Sequence, residues 1–373
     1  MSLKNTLFVT LIALAIITCS CGSKKEKQPA PSQQLFEQLK AIGGNGVLFG
    51  HQDDLAYGVN WEYEEGRSDT YETAGDYPAL FGWELGGIER EQEVNLDSVP
   101  FDKMREWATK GHEMGGLLTF SWHPYSPLDE TKDSWNTDEE VVKHILPDGS
   151  HHDVFKEHLD QVAQFLSSLK DEEGRQIPFI FRPWHEMDGN WFWWGSNLCT
   201  PEEFKAFFRF TIEYLRDEKD LDFLSAYSPD NRFNSEEEYL TWYPGDDVVD
   251  IIGVDNYGDF REGSENLDAV TRKLEIVVDY ARKTDKVAAF TETGLDRMTN
   301  DKWFTQMLGK SILQSEKARE IAYVMLWRND DTTHFFSAYP EHSSAPDFRE
   351  FAGNDKIWLL EDWNTFKTEN ELK

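Results

Sequence analysis

Two glutamates stand where a chain could place reacting groups. Glu186 closes the apolar run Ile177 to Glu186 (IPFIFRPWHE), and Glu292 closes Val287 to Glu292 (VAAFTE). A pair of carboxyl groups suits the splitting of an acetal such as a glycosidic bond. One holds a proton and gives it to the departing oxygen, while the other is ionised and attacks the anomeric carbon or activates water. Their separation sets the stereochemistry, about 5–5.5 Å when configuration is retained and more when it is inverted. The other reading of either residue is an ordinary strand-end glutamate held by a salt bridge or hydrogen bonds. Fourteen tryptophans supply flat rings of the kind that cover the apolar face of a sugar.

Other chemistries lack their spacings. His185-Glu186 is followed by Met187, Asp188 and Gly189, so the two-histidine zinc signature fails. There is no phosphate-loop GxxxxGK[ST] and no GxSxG nucleophile elbow, and the stretch Gly43 to Gly50 lacks the GxGxxG register. Asp53-Asp54 and the acidic run Asp138 to Glu140 do not have calcium-loop spacing. No metal or organic cofactor is expected. Lys plus Arg number 37 against 70 Asp plus Glu, a formal charge of −33 that repels phosphate backbones and anionic membranes. Nucleic acid is excluded as a partner, and a neutral substrate is compatible with this charge.

The elements that must position these residues are legible as short apolar runs alternating with amphipathic stretches, the pattern of parallel strands joined by helical crossovers. The predicted strands are Gly46–Gly50, Ala79–Leu85, Gly116–His123, Ile177–Glu186, Phe223–Ser228, Asp250–Tyr257, Val287–Glu292 and Ala322–Arg328. Helical periodicity marks Phe101–Met114, His151–Leu169, Pro201–Arg216 and Leu267–Lys283. Near-continuous apolar runs fit strands buried on both faces. Their ends are polar or aromatic: His51 and Asp53, Glu84, His123, Glu186, Tyr257, Glu292 and Arg328. In a (β/α)8 barrel all these ends open onto one face, and strands four and seven stand on opposite sides of it. The predicted fold class is therefore α/β, a (β/α)8 TIM barrel forming a single catalytic-size domain over 33–373. The stretches Asn60 to Asp76 and Asp129 to Asp148 are long enough to wall the barrel mouth.

Residues 1–21 read as a processing signal. Lys4 precedes an apolar run from Leu7 to Ile17 that is too short to span a bilayer. Thr18-Cys19-Ser20-Cys21-Gly22 resembles a bacterial lipoprotein box, with Cys21 favoured for acylation because the small Ser20 precedes it. Residues 22–32 (GSKKEKQPAPS) read as a flexible tether. A lipid anchor in a bacterial cell envelope is expected, on the periplasmic side because the residues after Cys21 are basic. It would be the only membrane contact, and a monomer is expected. Cys199 is then the only other cysteine of the mature chain, so no internal disulfide is expected.

Beyond the carboxylates, FIFRPWHEMDGNWFWWG (Phe179 to Gly195), LTFSWHPYSP (Leu118 to Pro127), IIGVDNYGD (Ile251 to Asp259), FTETG (Phe290 to Gly294), MLWRND (Met325 to Asp330) and VLFGHQDD (Val47 to Asp54) together resemble glycoside hydrolase family 26. That family consists mostly of β-1,4-mannanases. The resemblance spans about Leu35 to Trp363. It implies a retaining double displacement on mannan or manno-oligosaccharides, with Glu186 as acid/base and Glu292 as nucleophile. It also implies that Tyr257 hydrogen-bonds the nucleophile and that His123 contacts sugar hydroxyls on the glycone side of the bond. His185 adjoins the acid/base, where it either orients groups around the substrate or packs under strand four. Trp191, Phe192 and Trp327 would line the cleft, and Arg328 and Asp255 would hydrogen-bond sugars. Trp122, Trp184, Trp193 and Trp194 are expected to be packing, and Arg182 to be a supporting partner for a carboxylate. Internal scission and release of mannobiose from an end both stay open, as do xylanase or glucanase activity within the family and a glycan-binding lipoprotein without turnover.

Overall fold

The computed structural model describes residues 29–261, 263 and 266–372. The signal segment, Cys21 and most of the tether lie outside these residues. The first helix, α1 (Pro31–Ile42), begins inside the stretch expected to be tether. Pro31 opens it, where a missing N–H costs nothing, and Gly43 in a left-handed conformation ends it. The Ser32 N–H donates to Asp222 at 2.9 Å, which draws the start of the helix onto the barrel.

Eight strand positions follow: β1 (Val47–Gln52), β2 (Leu80–Glu84), β3 (Leu117–Trp122), β4 (Ile180–Pro183), β5 (Leu224–Tyr227), β6 (Ile251–Ile252), β7 in two pieces (Val287–Ala288 and Phe290–Thr293) and β8 (Tyr323–Leu326). Each pairs in parallel with the next, and β8 returns to β1 through Leu48 opposite Tyr323 and His51 opposite Leu326. The first piece of β7 pairs with β6 and the second with β8, so the break at Ala289 closes the ring. This is a (β/α)8 barrel. All eight positions fall on the predicted runs. Strand four is shorter than expected, four residues ending at Pro183, so Glu186 stands on the turn beyond it.

Alternation along the strands separates two cores. Leu48, Leu80, Leu117, Ile180, Leu224, Ile251 and Met325 fill the barrel interior, and Leu35, Leu39 and Ile42 of α1 close its floor. Interior glycines make room for the large partners. A Cβ on Gly82 would come within 1.9 Å of the Met325 methyl carbon. The alternate residues face outward under helices α3 (Phe101–Glu113), α4 (His152–Ser167), α5 (Pro201–Glu213) and α6 (Leu267–Thr284), with α2 being Asp69–Ala74 and α7 and α8 being Ala345–Ala352 and Leu360–Glu369. Phe49 packs on Phe348 of α7 with ring centroids 5.2 Å apart, and Phe120 on Phe165 of α4 at 6.3 Å. The same alternation corrects His51. It faces out with Val47 and Phe49, where it is buried with Nδ1 2.7 Å from Asp54, and so is not at the barrel mouth.

Candidate active site

The turn after β4 aims the first carboxylate. Trp184 and Glu186 both adopt positive φ, 56° and 55°, which non-glycine residues hold only when their surroundings impose it. The fully buried Trp184 supplies that constraint. Its Nε1–H donates to Thr211 at 3.0 Å, and its ring lies 4.2 Å from that of Phe207 in α5. The Glu186 N–H donates to the Ser228 carbonyl beyond β5 at 2.9 Å. The Trp191 Nε1–H then donates to Glu186 Oε2 at 2.7 Å. Burial pushes the Glu186 carboxyl well above the usual range, and Glu292, Asp255 and Asp230 push it the same way against the Trp191 bond.

Glu292, at the open end of β7, is held on both oxygens. Tyr257 donates its hydroxyl to Oε1 at 2.8 Å, and Arg182 of β4 donates Nη2 to Oε2. Arg182 also gives Nη1 to Asp255 at 2.7 Å. Burial disfavours a charged guanidinium there, but Asp255 and Glu292 outweigh it and hold Arg182 above its ordinary pKa. Burial also keeps the Tyr257 phenol protonated, and the charge of Glu292 adds to that effect. Arg182 thus has the supporting place expected of it. Asp255 does not have the sugar-facing place expected of it: it has no exposed surface and stands behind Arg182.

A second chain of contacts crosses from β2 to β4. Glu84 accepts from the His123 backbone N–H at 2.7 Å and meets His123 Nδ1 at 2.8 Å. His123 Nε2 faces His185 Nε2 at 3.0 Å, a contact that needs one proton between two nitrogens. Burial, with the charges of Arg182 and His123, lowers His185 far below the usual imidazole value and keeps it neutral. Burial pushes Glu84 up, yet the charge on His123 and the donors around it leave its pKa lowered.

All the predicted site residues except Asp255, Arg328 and the undescribed Cys21 border one cleft of about 900 Å³ at the C-terminal ends of the strands. Trp122, Trp184, Trp193 and Trp194 are fully buried packing, as expected. Arg328 turns away to a neighbouring hollow of about 630 Å³. There its Nε pairs with Asp97 at 2.9 Å and its Nη1 donates to the Tyr57 hydroxyl at 3.2 Å. Trp327 and Arg328 are adjacent residues between two strand segments, and one borders the cleft while the next borders the hollow. Trp135 was missed. It comes from the predicted wall Asp129 to Asp148, is 50% exposed, and lies parallel to the His123 ring at 5.3 Å. An isolated tryptophan in an otherwise polar loop was its only signal. Arg232, Arg261 and Arg297 on the same cleft were also missed. Cys199 is buried and free.

The fold and site define a (β/α)8 barrel with two carboxyl groups at one aromatic-lined cleft. The model of Glycosyl hydrolase family 26 matches residues 25–331, and the chain belongs to that family. A mannan endo-1,4-beta-mannosidase of Bifidobacterium adolescentis is 32% identical over 349 residues, covering 88% of this chain and 34% of the relative. The chain thus spans about a third of that relative's length. One from Bacillus subtilis strain 168 is 26% identical, covering 69% of this chain and 67% of the relative. Among solved structures, a GH26 beta-mannanase from Bacteroides ovatus superposes with a TM-score of 0.85 at 39% identity, covering 89% of this chain and 95% of that one.

Proposed function

We propose that the protein hydrolyses β-1,4-mannosidic linkages of mannan-type polysaccharides by a retaining double displacement, with Glu186 as acid/base and Glu292 as nucleophile. The observation that carries this reading is the unequal treatment of two carboxyl groups at one cleft. Burial and neighbouring charge favour a proton on Glu186, whereas donors from Arg182 and Tyr257 hold both oxygens of Glu292. The names of the relatives support mannan as substrate and internal scission as the mode.

In the first step Glu186 protonates the departing oxygen while Glu292 attacks the anomeric carbon. Formation of the ester removes the charge of Glu292, one of the influences that raises Glu186. Glu186 then ionises more readily and takes a proton from the incoming water. Mannose carries an axial 2-hydroxyl that shields the attacked face in the relaxed chair, so the sugar must distort, using binding energy from neighbouring subsites. His123, with Trp135 stacked on it, borders the cleft and is proposed to contact the distorted ring, with the buried His185 behind it fixing the His123 ring.

Reducing-sugar release from linear mannan, with proton NMR of the first-formed anomer, tests the reading. The expected result is retained configuration, mixed oligosaccharides early in the time course, and loss of turnover in Glu292→Ala with mannan binding preserved. Normal activity of that variant would remove Glu292 from the mechanism. Inverted product would replace double displacement by direct attack of water, and mannobiose as sole product would replace internal scission by end-cutting. Xylan and mixed-linkage glucan run in parallel test the substrate.

The same proposal places the chain in a bacterial envelope, monomeric and acylated at Cys21 on the periplasmic side. The apolar run and the cysteine box support the envelope placement and the acylation. Cys21→Ser is expected to move the protein from the membrane fraction to the soluble one.

A further inference from the structure

Three consecutive loops at the barrel mouth each bring an arginine to the cleft: Arg232 after β5, Arg261 after β6 and Arg297 after β7. In a chain of formal charge −33 this grouping stands out, because the molecule's overall field gives no help in attracting an anion. Among the described residues, Arg232 and Arg297 each have a carboxylate neighbour, in a single contact. Arg232 meets Asp230 through Nε at 3.3 Å, and Arg297 meets Asp296 through Nε at 3.2 Å. Neither contact is the two-nitrogen fork that a guanidinium makes with a well-seated carboxylate. Both side chains remain about half exposed, 47% for Arg232 and 58% for Arg297. The charge of Arg261 also acts on Asp230. The opposite end of the mouth has the reverse sign. Around Arg328, the neighbouring hollow is lined by Glu62, Glu64, Asp97, Asp330 and Asp331.

We infer that this arginine arc binds carboxylate groups carried by the substrate, so that the enzyme accepts mannan bearing acidic sugar units on one side of the bond it cuts. This rests on the hydrolytic reading above and adds a substrate class to it. The chemistry fixes the side. Glu186 protonates the departing oxygen, so the departing sugars lie by Glu186 and its partner Trp191. The Arg232 guanidinium lies over the Trp191 ring, 5.0 Å from its centroid. Carboxylates are therefore welcome in the departing portion. They are repelled in the portion that reaches toward the exposed Glu62 and Asp331.

The probes are linear β-1,4-mannan, the same mannan partly oxidised at C6 to carboxylate, and that oxidised mannan after methyl esterification, all at physiological ionic strength so that the long-range field is screened. Relative to its ester, the oxidised mannan is expected to be cleaved with a higher kcat/KM by the wild type. Mass spectrometry should find carboxylated units at the new non-reducing ends and few next to the new reducing ends. In the double variant Arg232→Ala, Arg297→Ala the ratio of oxidised to esterified rates should fall about tenfold, the worth of one charge-assisted hydrogen bond. Equal rates on both polymers, or carboxylates placed without preference, would overturn the inference. Affinity electrophoresis in gels of the same polymers repeats the comparison without turnover. Greater retardation by the oxidised mannan supports the arc, and equal retardation overturns it even if no polymer is cleaved. Failure to cleave untreated mannan would count against the hydrolytic reading alone.

Discussion

Burial is the main reason the proposed acid keeps its proton, and one hydrogen bond, from Trp191, works against it. That bond favours the ionised form of Glu186, against burial and the neighbouring carboxylates. Trp191→Phe removes the donor while keeping a ring, so the pKa of Glu186 should rise further. Turnover requires the protonated acid, and the alkaline limb of the kcat/KM profile on mannan should move to higher pH. A limb that stays in place or moves to lower pH would show that this contact does not govern the acid. Tyr257→Phe tests the other carboxylate. Glu292 loses its donor on Oε1 but keeps Arg182 on Oε2, and kcat should fall about ten- to a hundredfold with little change in KM, the usual worth of a hydrogen bond to a charged group. Steady-state kinetics reads that split, and an unchanged kcat would make Tyr257 a rim aromatic. Residue types at strand ends were readable in the sequence, but their directions were not. Asp255 and Arg328 carry the right chemistry, yet one lies behind Arg182 and the other is drawn to Asp97 and Tyr57 by loops distant in sequence. Trp135 and the three arginines sit on loops, where no periodicity reports which way a side chain faces.

Elements were more legible than residues because strands buried on both faces cannot avoid long apolar runs, and every residue of β1, β2 and β3 is buried. What the runs could not report was where pairing stops. Strand four ends at Pro183, and the left-handed turn at Trp184 and Glu186 follows from tertiary packing on Phe207 and Thr211, without any glycine to announce it. Helix α1 shows how far structural support can lie from the reaction. Leu39 is buried at the floor of the barrel, at the end opposite the cleft. Leu39→Ala should cost about 2–5 kcal/mol of stability through lost contacts and the cavity left behind. At a temperature where the variant stays folded, its kcat should match the wild type. Denaturant unfolding together with kinetics checks both halves, and a large loss of kcat in the folded variant would mean that the floor and the mouth are coupled.

At the scale of the whole molecule, the buried carboxyls that build the mouth make folding depend on pH. Burial raises Glu89 to about 7, Asp188 to about 7 and Asp97 to about 6, and it raises Glu186, Asp255 and Asp53 well above the usual range. An acid whose pKa is higher folded than unfolded binds more protons in the folded state between those two values. Its contribution is fully present below the unfolded pKa, near 4, and is lost as pH rises toward the folded one. Each such group lowers stability by up to about 1.4 kcal/mol per pH unit within that window. Glu84 works the other way, since its lowered pKa means that stability is lost only as pH falls below the usual carboxylate range. The acidic surface, at −33 overall, adds self-repulsion in the same direction as the raised carboxyls. Calorimetric Tm should therefore be highest near pH 5 and fall by several degrees toward pH 8. Added salt should restore only part of the difference, because screening reaches the exposed charges and not the buried ones. A Tm that is flat or rising from pH 6.5 to pH 8, above the range in which the neutral His185 adds stability with pH, would mean that the mouth carboxyls are already ionised in the folded protein. The proton assigned to Glu186 would then need another source.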